Sequence, residues 1–325
     1  MCCLPCVRFL LQRSLHVLES KLSAADLEVD GMKKIAVIGS INMDLTAKTE
    51  RFPNAGETIF GWDLQYVPGG KGNNQAVAAA RLGGGVTMFT CVGDDAFGDR
   101  LIENLKVNGV KTDYIQKVAG TATGIAIITV AENDNTIVVV SGANNCVTRQ
   151  YIEEVKDAVL EADIILLQNE IPYETIAYVA ELCHKAGKTV IYNPAPVVPL
   201  AEDIMENVSY MTPNEHEVTL LFPEETNLEQ LLAKYDGKVI VTLGAEGAAA
   251  WVNGAMVKIP ARKANVVDTT GAGDNFNGAF AYALANDYPL DQALHFANVA
   301  ASLSTEGFGA QGGMPTLDMV KKEFV

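Results

Sequence analysis

The 325-residue sequence predicts an α/β fold: a mostly parallel sheet covered by helices on both faces, with a second, smaller sheet beside it. Three observations carry this expectation. Short apolar runs alternate with helical patterns, as parallel strands joined by crossover helices do. Two stretches, 58–67 and 123–140, break the alternation with strand-like runs and no central helix between them. Hydrophobic residues make up 49% of the chain, ample for a core of this kind.

The elements follow in order. Residues 1–31 are expected to be a poorly ordered extension, with a short helix over 10–22 as its one candidate element. Arg8 and Arg13 interrupt its apolar stretch, so it does not read as a signal peptide. Cys3 and Cys6 have CxxC spacing, but no second pair or nearby His completes a zinc site; Cys91, Cys146 and Cys183 are isolated and read as reduced core residues. From Met32 one domain is expected to run to Val325. Residues 34–39 read as a buried first strand. Its carboxyl end leads into Ser40-Ile41-Asn42-Met43-Asp44, where open α/β sheets place ligands. Asn42 and Asp44 are two apart and share a face of an extended chain.

The second sheet opens with 58–67, and the Gly-rich stretch 68–75 then leads into an Ala-rich helix over 76–82. Strands are expected at 86–92, 163–167, 189–192, 208–211 and 238–243. Helices are expected at 97–108, 174–185, 228–235 and 292–304, and the 123–140 hairpin should turn at Asn133-Asp134-Asn135.

The chemistry concentrates in Val266-Val267-Asp268-Thr269-Thr270-Gly271-Ala272-Gly273-Asp274. An apolar segment passes through a Gly-rich turn into an amphipathic helix carrying Phe276, Ala279, Phe280, Ala283 and Leu284. Such a turn aims free backbone N–H groups at one point on the positive end of a helix dipole. A carboxylate, Asp274, starts the same helix. Amides that hold an anion beside an acid that can take a proton suit phosphoryl transfer to a hydroxyl. Asp274 as a plain helix cap, worth about 1 kcal/mol, is the competing reading. Upstream, Pro68-Gly69-Gly70-Lys71-Gly72-Asn73-Asn74-Gln75 mixes close backbone approach with donors suited to a polyol.

Two other motifs lead nowhere. Gly187-Lys188-Thr189 suggests a P-loop, but Leu182 holds the earlier glycine position. The run from Gly307 to Gly312 fits GxGxxG, yet it follows a helix, and the first strand lacks that fingerprint, which excludes a nicotinamide oxidoreductase. A net charge of −16 argues against nucleic acid or an anionic membrane as partner. No apolar run approaches the ~20 residues of a membrane span, so a cytoplasmic protein is expected.

Together the motifs resemble the ribokinase branch of the PfkB sugar-kinase family. The resemblance covers nearly all of 32–325 and includes Asn193-Pro194-Ala195-Pro196, Thr212-Pro213-Asn214-Glu215 and Thr242-Leu243-Gly244, in the family's order. It implies a ribokinase-like three-layer α/β/α fold, whose small sheet (strands mainly from about 41–68 and 120–142) lids the sugar and often clasps a homodimer. The alternating Ile59-Phe60-Gly61-Trp62-Asp63-Leu64 segment suits such a clasp.

The resemblance also implies roles. Asp274 matches the general base for the sugar's primary hydroxyl, and Gly271, Ala272 and Gly273 supply the amides for the transferring phosphoryl group. Asn42, Asp44, Gly70, Lys71, Asn74 and Glu170 match sugar-contacting positions. Asn214, Thr242, Leu243, Gly244, Ala245, Glu246, Gly247, Gly273 and Asn298 match the nucleotide site, and Glu217 the carboxylate associated with magnesium through water. Glu217 on a solvated helix face and Asp44 as an Asx-turn residue are the plain alternatives. Asp268, Thr270, Ser304, Gly307, Gly309 and Gly313 match a monovalent-cation site, with potassium the expected ion. Two positions depart from the pattern: Gly313 stands where relatives often carry a serine, and Asn275 where Thr or Ser usually follows the aspartate. The expected reaction is ATP-dependent phosphorylation of D-ribose at its 5-hydroxyl. Another sugar such as deoxyribose, a nucleoside, or a catalytically silent sugar-binding role are the alternatives.

Overall fold

The computed structural model describes residues 33–132, 134–200 and 203–324; the expectations for 1–31 lie outside the described residues. The first elements are β1 Lys34–Ile38, β2 Asn42–Thr49, β3 Gly61–Gly69, α1 Lys71–Arg81, β4 Gly85–Gly93, α2 Ala96–Val107, β5 Lys111–Val118, β6 Gly124–Ala131 and β7 Asp134–Val140. The middle of the chain supplies α3 Arg149–Leu160, β8 Ile164–Gln168, α4 Tyr173–Lys185, β9 Thr189–Asn193, α5 Ile204–Asn207, β10 Tyr210–Met211, α6 Glu215–Leu221 and α7 Leu228–Lys234. The last part holds β11 Ile240–Thr242, β12 Ala248–Val252, β13 Ala255–Ile259, α8 Ala272–Ala285, α9 Leu290–Ser304 and α10 Leu317–Glu323.

The central sheet runs β10-β9-β8-β1-β4-β5, and every pair in it is parallel. Alternation along β1 feeds both layers: Ile35 and Val37 join one apolar cluster with α1, α8 and α9, while Ala36 and Ile38 join another with α3 and α4. Parallel bridges Met211↔Val239 and Asn214↔Thr242 attach the antiparallel β11-β12-β13 sheet at the β10 edge. Because β1 lies between β8 and β4, the chain leaves it in one direction and returns on its other side. The carboxyl ends of β1 and β8 therefore frame a crevice, the usual ligand position in open α/β sheets.

The second sheet, β3-β2-β6-β7, springs from this crevice. Asn42 pairs with Gly69 on one side and with Gly124 on the other, so the sheet's base meets the end of β1. In and just before β3, Phe60, Trp62, Leu64 and Tyr66 are exposed, with Phe60 at 94%.

The layered fold is as expected, and the differences have local causes. The Ala-rich helix begins at Lys71 rather than Ala76, because the carboxylate of Glu170, from a distant loop, accepts the Lys71 N–H at 3.0 Å. Lys71 and Asn74 thus stand on a helix. The 58–67 stretch becomes a strand only from Gly61 and pairs antiparallel with β2, the strand before it, as hairpin material should. The β6–β7 hairpin closes at Ala131↔Asp134 with Glu132 left-handed (φ 53°), so its turn precedes Asp134. The strands expected at 208–211 and 238–243 shrink to β10 and β11. The charged edge strand β5 and the Ala-rich β12 were not expected, because charges in one and alanines in the other dilute their strand formers. The β12–β13 turn did carry a signal: Asn253 and Gly254 are both left-handed, the type I′ pattern. Helix α8 is buried nearly all round instead of amphipathic, since it packs between α1 and α9.

The contact of α8 with α1 depends on Gly278. A Cβ there would lie 2.6 Å from the Ala78 Cβ and 2.6 Å from the Gln75 carbonyl oxygen. Helix propensity alone predicts that Gly278→Ala stabilises by up to about 1 kcal/mol. Overpacking should reverse that sign, and urea denaturation is expected to show a loss of about 1–3 kcal/mol.

Candidate active site

Gly271 sits in the left-handed region (φ 76°), and a Cβ on it would come within 2.8 Å of the Ala310 carbonyl oxygen, so glycine is required at this turn. The turn delivers the chain into α8, whose first amides line a cleft of about 320 Å³. Among the described residues, the Gly271 and Gly273 amides have no protein acceptor, whereas the Ala272 amide is engaged by the Thr269 carbonyl at 3.2 Å. The open end of a helix of 14 residues therefore faces the cleft.

Asp274, 7% exposed, stands at the same end. Its Oδ2 accepts the Asn74 side-chain amide at 3.0 Å and its Oδ1 that of Gln75 at 3.1 Å. Burial pushes its carboxyl up; the Lys71 ammonium and the two amides act in the opposite direction. Burial likewise pulls Lys71 down, but Asp274, Glu170 and Glu217 together outweigh it and hold the ammonium charged. A buried carboxylate that retains donors and a nearby cation can take a proton and be stabilised in either state.

The upstream residues converge on this point from three elements. Asn42 Oδ1 accepts from Asn144 Nδ2 at 2.7 Å, and Asn144 Oδ1 accepts the Ile41 N–H at 2.9 Å. Asp44 lies over Gly69, where any Cβ would strike its carboxylate at 2.2 Å. Burial, then the charges of Glu170 and Asp274, push Asp44 up to about 7. Glu170 Oε2 accepts the Ser40 hydroxyl at 2.5 Å as well as the Lys71 amide, which ties the ends of β1 and β8 to the start of α1. Gly70 (φ 88°) permits the Asn42 backbone to pass where a Cβ would stand 2.8 Å from its nitrogen.

The other side of the cleft is lined by Asn214, Glu217, Thr242, Gly244, Gly247 and Asn298. Asn214 and Glu217 form a reciprocal capping box at 2.8 Å in each direction, and among the described residues the second Glu217 oxygen has no protein partner. Asn298 donates to the Ile259 carbonyl at 2.8 Å, so part of its polarity serves the fold. A second cavity of about 630 Å³ continues from this side past Ala245, Ala261, Val266 and Ala301. Leu243 and Glu246 line neither cavity.

The C-terminal loop packs on the anion turn. Asp268 Oδ1 accepts the Thr270 amide (2.9 Å) and hydroxyl (2.7 Å), and its Oδ2 accepts the Gly309 amide at 2.8 Å. Although burial acts to raise it, these bonds hold the Asp268 carboxyl below its usual range. Gly313 packs backbone to backbone: a Cβ there would lie 1.9 Å from the Ser304 carbonyl oxygen, and one on Gly307 would lie 2.5 Å from the Gly313 Cα. The two backbones thus pass too close at 313 for a side chain to fit without a shift. Among the described residues no cluster of three His, Cys, Asp or Glu could hold a metal ion.

Several polar residues in and around the sequence motifs were given no role of their own by the sequence reading. Gln168 donates to Gln75 Oε1 at 2.7 Å, and Gln75 donates onward to Asn193 at 3.2 Å. Thr212 donates to Asn277 at 2.6 Å. All are buried. Their signal was faint: Gln168 closes the apolar run Ile164–Gln168, and Gln75 starts an alanine stretch. Asn275 is 1% exposed, with an Oδ1 that finds no partner.

A carboxylate beside free helix amides at a parallel-sheet switch point is an arrangement suited to phosphoryl transfer. The family model for pfkB family carbohydrate kinases matches residues 32–317, and the chain belongs to that family. It is a sugar kinase. Within the family its similarity falls on ribokinases: those of Bacillus subtilis and Lactococcus lactis are each 49% identical over 291 residues, covering 90% and 89% of this chain and 99% and 96% of theirs. The structure of Arabidopsis thaliana ribokinase complexed with ribose and ATP superposes with a TM-score of 0.83 at 33% identity, covering 90% of this chain and 99% of that one.

The raised Asp44 carboxyl has a consequence for stability. The folded protein retains a proton that the unfolded chain releases between its ordinary value of 3.8 and about 7, so stability falls with rising pH across that window. Asp44→Asn removes the loss. Thermal melts should coincide below pH 4 and favour the variant above pH 7, by on the order of 2 kcal/mol.

Proposed function

We propose that the protein phosphorylates D-ribose at its 5-hydroxyl with ATP, giving D-ribose 5-phosphate and ADP. The observation that carries this is the junction of Asp274 with the open amides at the start of α8, in a cleft shared with Lys71. In this reading Asp274 takes the proton of the attacking hydroxyl while the hydroxyl oxygen bonds to the γ-phosphorus and the bond to ADP breaks. Gly271 and Gly273 offer their amides to the charge that builds on the transferring group, with Ala272 able to join once its weak bond to Thr269 yields. Lys71 favours the ionised carboxylate against the effect of burial.

The sugar lies against Asn42, Asp44, Gly70, Lys71 and Asn74, with Asp44 accepting from hydroxyls. Glu170 already binds Ser40 and the Lys71 amide, so its part is to hold the sugar-binding elements together as well as to meet the sugar. Asn214, Thr242, Gly244, Gly247 and Asn298 border the phosphates and ribose of ATP, and the adenine extends into the apolar second cavity. Magnesium suits the free oxygen of Glu217 together with ATP phosphates, since this ion needs few protein carboxylates, and supplies charge neutralisation there. The oxygen-only set of Asp268, Thr270 and the carbonyls of the 304–313 loop suits potassium, which supplies positive charge beside the anion turn. The apolar outer face of the small sheet supports a homodimer.

The choice of ribose rests on the ribokinase relatives, and deoxyribose differs by a single hydroxyl. Phosphorylation of a panel of pentoses, hexoses and nucleosides, with and without potassium, tests it. Ribose should lead, with potassium raising the rate. Preference for another acceptor would discard the substrate and keep the mechanism. Asp274→Asn should lower turnover by at least about 10²-fold with ribose affinity changed much less; near-normal turnover would reduce Asp274 to a helix cap.

A further inference from the structure

We propose that Gln311 is a positioning residue for Asp274, acting through Asn74. The inference rests on the reading of Asp274 as the general base and adds a residue to it. Gln311 lies in the loop after α9 and is 6% exposed. Its Nε2 donates to Asn74 Oδ1 at 3.0 Å, and Asn74 Nδ2 donates in turn to Asp274 Oδ2 at 3.0 Å. On the far side Asn104 Nδ2 donates to Gln311 Oε1 at 3.0 Å. The loop is pinned as well, because Arg81 Nη1 donates to the Gln311 carbonyl at 2.5 Å.

The direction of this chain follows from chemistry. An ionised carboxylate only accepts, so Asn74 must turn its N–H₂ toward Asp274 and its oxygen away. That oxygen then needs a donor, and Gln311 supplies one; Gln311 Oε1 needs a donor in turn, and Asn104 supplies it. Each amide fixes the orientation of the next, from α2 through the C-terminal loop to the base. With the Gln311 donor removed, Asn74 is free to rotate and present its oxygen to Asp274, which opposes the ionised form. Gln75 holds Oδ1 independently, so the effect is partial.

The charged groups facing Asp274 are Lys71 on α1, Glu170 after β8, Asp44 on β2 and Glu217 on α6. None of them is a partner in the Asn104–Gln311–Asn74 chain. Gln311 also shares its loop with Gly309, the donor to Asp268, so displacement of that loop is felt at the base.

The test is the pH dependence of kcat at saturating sugar and ATP in two variants. Gln311→Met keeps the size, adds no charge and cannot donate. Asn104→Asp turns a donor into an acceptor, reversing Gln311 and then Asn74 from a partly exposed site. Both should move the acid limb of kcat upward by about half to one pH unit. Below the limb kcat should then fall about 3- to 10-fold, and the profiles should meet within about twofold well above it. A role confined to packing would lower the melting temperature and leave the limb in place. An unmoved limb in folded Gln311→Met overturns the proposal; if that variant does not fold, an unmoved limb in Asn104→Asp does so. Near-normal turnover in Asp274→Asn would instead remove the base itself, whatever the Gln311 variants do.

Discussion

A buried carboxylate must be kept ionised, and the organisation around Asp274 follows from that constraint. Removal from water favours the protonated form. Two side-chain amides from α1 and the Lys71 ammonium oppose this. Hydrogen bonds to a charged group contribute about 1.5–3 kcal/mol each, enough to matter against the desolvation of a single ion. They form only if α1 and α8 approach closely, which is why Gly278 faces Ala78 and why α8 is apolar on nearly every side.

The same constraint explains how two half-sites meet. The elements proposed to meet the sugar grow from the carboxyl ends of β1 and β8, tied together by Ser40 and Glu170. Those proposed to meet the nucleotide grow from β11 and the loops before α8, on the other side of the cleft. Asp274 and Lys71 are the charged groups at their junction, and the small sheet stands over it with Asn42 and Asp44 at its base. Behind the Gly271 turn, the C-terminal loop reaches both Asp268 and Asn74, so one segment braces the turn and the proposed base together.

Much of this was legible from residues in series. Strand β1 announced itself as a short apolar run, and the Gly271–Asp274 turn as amides beside an acid. Interactions between distant segments were not legible. Nothing local to Lys71 shows that Glu170 will cap its helix, and nothing local to Gln311 shows that Asn74 lies within reach. Two roles shifted for that reason. Glu170 serves the architecture as well as the proposed sugar site, and the Ala272 amide is partly spoken for by Thr269. Charges in β5 and alanines in β12 diluted their strand formers and hid both.

The most direct test of the central claim is a crystal structure with ribose and a non-hydrolysable ATP analogue. The account predicts the 5-hydroxyl within about 3 Å of the Asp274 carboxylate, with the γ-phosphate oxygens against the Gly271 and Gly273 amides. A hydroxyl held instead by Asp44 or Glu170, with Asp274 out of hydrogen-bond reach of the acceptor, would contradict it.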